Sequence, residues 1–464
     1  MSDNEPASLV EQQPPPERTG PLTHVQRLWL PEEPDRQVGS HEDNQFRELR
    51  LATAMGLDDV RRAVRGVLGR HEVLRSRIVG RGDTAYQAVD AVDPGWEKVL
   101  VASALDGWDD AVAAARRTTF RLSSQWPLIL LTGIEEGRVS RIAVVVDHWA
   151  ADGLGVVVLL DDLTAALQAQ AEDGCWTPAG AVEQPVDLAL WESATPAGAL
   201  QSERALAYWR QQYERLARGL CGHGAVPPTA SSSDAAPRLF PGCTLTSVRV
   251  AEAAAVVADR MRVQPAVVYL AAFSDAIGAA EGVDLVGTLM LSANRLTSAA
   301  MRSVRNAVMS APVVLDVTRP GHFAETVERA AVQQVRAFRH ANADHRLTGG
   351  IAEEVLGDLR DSAVTSAIFN FMPESALRGD RPPAIVRDAA CDVVEPMPPR
   401  TTAARRMFMA STRQDRVTMT LRWREDTSWQ RYGAPMMRYI ADLIVNEAAR
   451  EPAPAVFGHA QGPR

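Results

Sequence analysis

The chain has 464 residues, 46% of them apolar and 23% charged. That is the make-up of a globular protein long enough for two or three domains. Its 49 basic and 58 acidic residues leave a formal charge of −9, which argues against strong non-specific nucleic-acid binding. Residues 1–18 are polar and proline-rich and read as a disordered tail, with no apolar core for a signal peptide. Hydrophobic spacing then predicts a helix over Asp58–Gly69, a strand over Leu74–Val79 and a helix over Asp109–Thr118. Two apolar strands, Leu128–Ile134 and Arg141–Val146, are separated by a Glu-Glu-Gly-Arg turn, and a helix follows from about Leu154 to Ala171. Val182–Ser193 has no clear period, Gln201–Leu220 is a long amphipathic helix, and 222–241 is a Gly/Pro/Ala/Ser-rich loop or linker.

The second half repeats the alternation. Strands are predicted at Thr244–Val250, Leu285–Ser292, Pro312–Val317, Ala367–Met372, Arg406–Ser411 and Val417–Trp423. The last two form a hairpin. Helices are predicted at Ala266–Ala280, Ala324–Arg339 and Tyr432–Ala449, and the end of the chain is loose. Alternating helices and strands give an α/β or α+β class. The domain reading is a tail (1–18), an N-terminal lobe (19–195), a C-terminal lobe (196–452) and a loose tail (453–464). No apolar run approaches about 18 residues, so no membrane span is expected. Four scattered cysteines without a CxxC pair make no disulfide framework and fit a reduced, cytoplasmic setting. Lys98 is the only lysine. It lies in no Schiff-base or Walker context.

One segment concentrates chemistry: RIAVVVDHWAADGLG, residues 141–155. A buried strand ends in Asp147-His148, and a polar turn carries Asp152-Gly153 into a helix. A histidine held rigidly at a strand end is a common placement for a general base. Asp152 is placed to pair with an arginine, and Gly153 clears space for a substrate. From position alone, His148 as a satisfied core histidine stays open beside this reading. His340 and His345 are five apart, which is not zinc spacing, and no G-x-S-x-G elbow or phosphate loop is present.

The chain resembles the condensation domains of nonribosomal peptide synthetases. PLTHVQRLWL (21–30) is similar to the family's opening motif, RHEVLRSR (70–77) to its second, DHWAADG (147–153) to the HHxxxDG signature, and VDLALW (186–191) to its fourth. LSANR (291–295) and FNFMP (369–373) fit more loosely. The resemblance implies two chloramphenicol-acetyltransferase-like lobes in a V-shaped pseudo-dimer with the active-site tunnel between them. It makes His148 the catalytic histidine and Asp152 the structural aspartate, paired with Arg70 or Arg295. Gly153 and Asp147 also fall at the active site, and Trp149, Asn370 and Ser310 are the substrate-tunnel candidates.

The implied reaction is acyl transfer from a carrier-protein thioester to an amine or hydroxyl. It needs no metal and no cofactor beyond the phosphopantetheinyl arm of a separate carrier protein, and involves neither nucleic acid nor membrane. Backbone N–H groups near Gly153 are candidates for stabilising the oxyanion. The chain is read as free-standing, so its carrier docks in trans and its nucleophile is a small molecule or carrier-bound.

Two departures from the pattern stand out. Asp147 replaces the first signature histidine; strand alternation would turn it away from His148, and its structural role would be pairing with a buried arginine. Val308-Met309-Ser310 stands where the family has Val-Asn-Thr, which puts a polar contact from that asparagine in doubt. The competing functions are a silent condensation-like domain that recruits a partner protein, and a coenzyme A- or carrier-dependent O-acyltransferase of the polyketide-associated type.

Overall fold

The computed structural model describes residues 15–30, 40–93, 95–172, 174–220, 239–317, 322–373, 393–400, 406–413, 415–423 and 433–450. Most of the 1–18 tail, the 222–241 linker and the 453–464 tail therefore lie outside the described residues. Two compact units are present: Met1–Ala199 with Arg295–Ala307, and Leu200–Asn294 with Val308–Arg464. Placing the lobe boundary at 195 leaves residues 295–307 in the C-terminal lobe, whereas they pack with the first unit.

In the first unit, β1 (Arg18–Pro21) and α1 (His24–Leu28) precede the long strand β2 (Gln45–Gly56) and α2 (Leu57–Arg70). Then come β3 (Ser76–Val79), β4 (Tyr86–Val89), β5 (Leu100–Ala104), α3 (Trp108–Arg116), β6 (Leu128–Glu135), β7 (Arg138–Val146), α4 (Gly153–Ala171) and α5 (Pro185–Ala194). The strands make a sheet of order β2-β7-β6-β5 and a small sheet of order β1-β4-β3. β6 and β7 are joined by Glu136 and Gly137, both with positive φ (51° and 76°). Two consecutive positive φ values define the tight hairpin turn whose twist matches its strands. β7 is central and continuously buried from Ile142 to Val146. That explains its unbroken apolar run.

Helix α4 is 19 residues long and apolar enough by composition to cross a membrane. Here it is a core helix: Val156, Leu159, Leu163 and Ala166 are buried in the same cluster as α2's Val60, Val64 and Val67. α5 replaces the aperiodic segment expected at 182–193, and it starts with Pro185 at its first turn, where proline's missing N–H costs nothing.

The second unit contains α6 (Pro196–Leu220) from Leu200 onward, β8 (Phe240–Ser247), α7 (Val248–Met261), α8 (Pro265–Glu281) and β9 (Leu285–Ser292). The short helix α9 (Ser298–Met301), in the 295–307 segment, belongs to the first unit. The second unit resumes with β10 (Met309–Asp316), α10 (Phe323–Arg339), α11 (His345–Leu356), α12 (Ala363–Ser366), β11 (Ala367–Met372), β12 (Val394–Arg400), β13 (Arg406–Arg413), β14 (Arg416–Trp423) and α13 (Gly433–Ala448). Its sheet runs β10-β9-β11-β13-β14-β8-β12. β12 carries three prolines at the edge of that sheet, the position where a missing ladder donor is tolerated. The expected strand at 244–250 ends at Ser247 instead. Its hydroxyl accepts the Val250 N–H at 2.9 Å and caps α7. The core of this unit centres on Phe273, Phe369 and Phe408, with the Phe273 and Phe408 rings 4.9 Å apart.

Candidate active site

The site is built at the C-terminal end of β7, entirely within the first unit. Past Val146 the chain turns sharply. The Asp147 N–H bonds the Pro127 carbonyl at 3.0 Å, and the Asp147 carbonyl accepts the N–H groups of Ala150 and Ala151. The Asp147 carboxylate closes the same turn by accepting the Trp149 N–H at 2.8 Å. Among the described residues no arginine pairs with Asp147, so the expected buried arginine partner is replaced by this backbone bond. Burial pushes the Asp147 carboxyl up to about 6, against the opposing pull of the Trp149 N–H.

His148 is half-buried at the tip of this turn. Its ring stacks on Trp29, with centroids 4.2 Å apart and planes inclined by 22°. Trp29 follows α1, whose start is locked by a reciprocal bond pair between Thr23 and Gln26. The 21–30 motif thus builds a capped helical turn that delivers an indole face to the histidine. On the other side, the Asn306 Nδ2 lies 2.7 Å from the His148 carbonyl oxygen and 3.1 Å from its Nδ1.

Asp152 ends the turn as the N-cap of α4. Its Oδ1 accepts the Gly155 N–H at 2.6 Å and the Arg295 Nη2 at 2.8 Å, and its Oδ2 accepts the Ala307 N–H at 2.9 Å. Both side chains of the Asp152–Arg295 pair are 1% exposed. The same Arg295 Nη2 also bonds the Arg305 carbonyl at 2.8 Å. Three donors therefore hold one carboxylate. They tie the first turn of α4 to residues 295–307, which in turn carry Asn306 to His148. The Arg305 guanidinium is held below its ordinary value by burial, and it pairs with Glu183 at 2.6 Å.

Of the two arginines considered for Asp152, Arg295 makes the contact. Arg70 instead bonds Asp162 at 2.8 Å and the carbonyls of Ala179 and Gly180. His71 meets the same Asp162 at 2.7 Å. The 70–77 motif therefore pins α2 to α4 and has no contact with Asp152.

Gly153 opens α4. Gly155 is tightly enclosed: a Cβ there would lie 2.6 Å from the Arg305 carbonyl oxygen. The Gly155 amide is taken up by Asp152, which removes it from the candidate oxyanion donors. Trp149 is 1% exposed and part of the core, so it does not line a substrate path. Ser310 and Asn370 are half-buried on β10 and β11 of the second unit. An asparagine does reach His148, but it is Asn306, three residues before Met309. Trp29 was legible only as part of a motif and Asn306 carried no sequence signal, because both act through packing on His148.

A separate cavity of about 350 Å³ in the first unit is lined by Arg77, Asp90, Lys98, Phe120 and Trp126 among others, and His148 is not part of its wall. Asp90 there accepts the Arg77 Nε and Nη2 at 2.7 Å each and the Trp126 indole N–H at 2.8 Å. Among the described residues no group of histidine, cysteine and carboxylate side chains is arranged to hold a metal. Cys175 and Cys243 are free thiols, and Cys221 and Cys391 lie outside the described residues.

A family model described as condensation domain matches residues 17–352. The chain belongs to the condensation domain family. A probable non-canonical nonribosomal peptide synthetase, CymA, from Salinispora arenicola is 32% identical over 209 residues, 43% of this chain. The match spans only 3% of that much longer protein. Among solved structures, the condensation domain of chain release from the enacyloxin polyketide synthase superposes with a TM-score of 0.70 at 15% identity, covering 95% of this chain and 85% of its own. The X-domain from teicoplanin biosynthesis gives 0.68 at 20%, covering 96% and 97%. SgcC5 from Streptomyces globisporus gives 0.65 at 16%, covering 93% and 99%. These likenesses establish the fold: the α/β units are the two lobes of a condensation domain. The motif resemblance and the family assignment agree.

Proposed function

We propose that this condensation domain is an active acyltransferase. It moves an acyl or aminoacyl group from a carrier-protein thioester to an amine or hydroxyl, forming an amide or ester in natural-product biosynthesis. The observation that carries this reading is the built histidine: His148 is clamped between the Trp29 ring and the Asn306 amide, on a turn anchored by the buried Asp152–Arg295 pair. A side chain without a task in chemistry does not need its ring plane and one ring nitrogen both specified, and such preorganisation is what a reacting group requires. The thioester already carries the activation for acyl transfer, so the step calls for no metal or further cofactor.

The experiment is a transfer assay with a carrier loaded through its phosphopantetheine arm and an added nucleophile, read as loss of the acyl-carrier and gain of product. His148→Ala is expected to lose nearly all product formation while the protein stays folded. Equal rates in wild type and variant would overturn the reading.

A second reading has its own support. Asp147 stands in place of the first signature histidine, and the X-domain of teicoplanin biosynthesis is known in complex with OxyB. In that reading the domain recruits a protein partner and no acyl transfer occurs with any loaded carrier. A carrier that stays loaded in the presence of wild-type protein and a panel of nucleophiles would favour it.

A further inference from the structure

His148 has two ring nitrogens, and only one carries the proton when the ring is neutral. Asn306 decides which. Its Nδ2 lies 2.7 Å from the His148 carbonyl oxygen. A carbonyl oxygen only accepts, so the NH2 end of the amide faces it, and the amide oxygen cannot. An NH2 group has two hydrogens. With one directed to the carbonyl, the other is directed to Nδ1, 3.1 Å from the same Nδ2. A ring nitrogen that receives a hydrogen bond has no proton of its own. Asp147, the neighbouring carboxylate, directs its Oδ1 to the Trp149 N–H instead. The stacked Trp29 ring and the buried Asn306 side chain hold this arrangement from two sides.

We propose that Asn306 locks neutral His148 in the tautomer with its proton on Nε2, so that the ring presents an N–H donor to the reaction and not a lone pair. This rests on the reading of His148 as the group at the reacting atoms. Asn306 is then a positioning residue. For an amine nucleophile the step balances without a base at His148. Nitrogen attacks the thioester carbonyl, the C–N bond forms and the carbonyl oxygen takes the negative charge, which the Nε2–H stabilises by hydrogen bonding. As the intermediate collapses the C–S bond breaks, and the proton on nitrogen leaves with the thiolate to give the free thiol.

The test reads the tautomer directly. The full chain is labelled with nitrogen-15, and the His148 ring signals are identified among its nine histidines by their loss in His148→Gln. Spectra are recorded at a pH where the ring is neutral. The expected wild-type pattern is a protonated Nε2 and an unprotonated Nδ1. Asn306→Asp, which has the same shape but can only accept, should invert it. A wild-type spectrum with the proton on Nδ1 would overturn the proposal, and so would an Asn306→Asp protein that melts like wild type and keeps the wild-type pattern. If Asn306→Asp does not fold, the wild-type spectrum alone decides. No substrate is involved, so a protonated Nε2 in a protein that never transfers an acyl group supports the tautomer while refuting the proposed reaction. In the active protein, Asn306→Ala should lower kcat about 10–100-fold with KM little changed, because the donor is lost from the reacting geometry and binding is not.

Discussion

At the scale of single residues, His148, Asp147 and Asp152 occupy one turn yet are expected to fail differently. His148 is half-buried and its ring contacts are to Trp29 and Asn306. His148→Ala should cost about 10²–10³-fold in kcat/KM with little change in melting temperature, measured with one loaded carrier and one nucleophile. Asp152 is different, because it satisfies two backbone N–H groups and a buried guanidinium. Asp152→Ala leaves Arg295 charged and buried without its carboxylate. It should destabilise by about 3–5 kcal/mol, seen in denaturant unfolding; a wild-type midpoint would show that the pair does not hold the turn.

Asp147 adds a pH dependence. Burial raises its folded-state pKa to about 6 from 3.8, so the folded form binds the proton more tightly than the unfolded chain. Stability from this group is therefore fully present below about pH 4 and is lost as pH rises through about 6, a change of roughly 3 kcal/mol. Asp147→Asn keeps an acceptor for the Trp149 N–H and removes the charge. The variant should match wild type near pH 4 and exceed it in stability at pH 7. A variant less stable than wild type at pH 7 would mean that the carboxylate has a stabilising ionic partner.

At the scale of elements, the site depends on how closely α4 and the 295–307 segment approach. The absence of a side chain at Gly155 permits that approach, and a Cβ there would meet backbone atoms of Arg305, which have no rotamer to adjust. Gly155→Ala should cost about 1–3 kcal/mol and displace Asn306 from His148. Activity is expected to fall further than the stability loss explains, measured as kcat/KM against the fraction folded. An active, stable Gly155→Ala protein would show that the segment can move without consequence. The long apolar or amphipathic elements, β7, α2, α4, α8 and α10, were legible because burial on one or both faces imposes a period on the sequence. β2 and α7 were not. β2 is only half-buried along most of its 12 residues, which blurs alternation. α7 begins directly where β8 ends, at a serine that belongs to the strand and caps the helix.

At the scale of the whole molecule, the compact units do not follow the chain. Residues 295–307 leave the second unit's sequence to complete the first, bringing Arg295, Asn306 and the Ala307 amide to the 147–155 turn. Residues 1–199 alone would bury Asp152 without Arg295. They should fail to unfold cooperatively, tested by limited proteolysis and denaturant titration beside the full chain. A stable, cooperative 1–199 fragment would overturn this, because breaking a buried pair should cost about 3–5 kcal/mol against a typical total of about 5–15 kcal/mol.

The sequence by itself determined the α/β class, the family, the strand that ends in Asp147-His148 and the glycine-rich turn into α4. Each of these is a local pattern, written in consecutive residues by burial, capping and turn sterics. Tertiary structure decided which arginine meets Asp152, that Arg70 serves Asp162, that Trp149 faces the core, and that Trp29 and Asn306 hold the two sides of His148. Those pairs are separated by 92 to 158 residues in the chain or, for Trp149, by the choice between two faces of a turn. Long-range pairing is set by the packing of whole elements, and one chain's residue spacing contains no record of it.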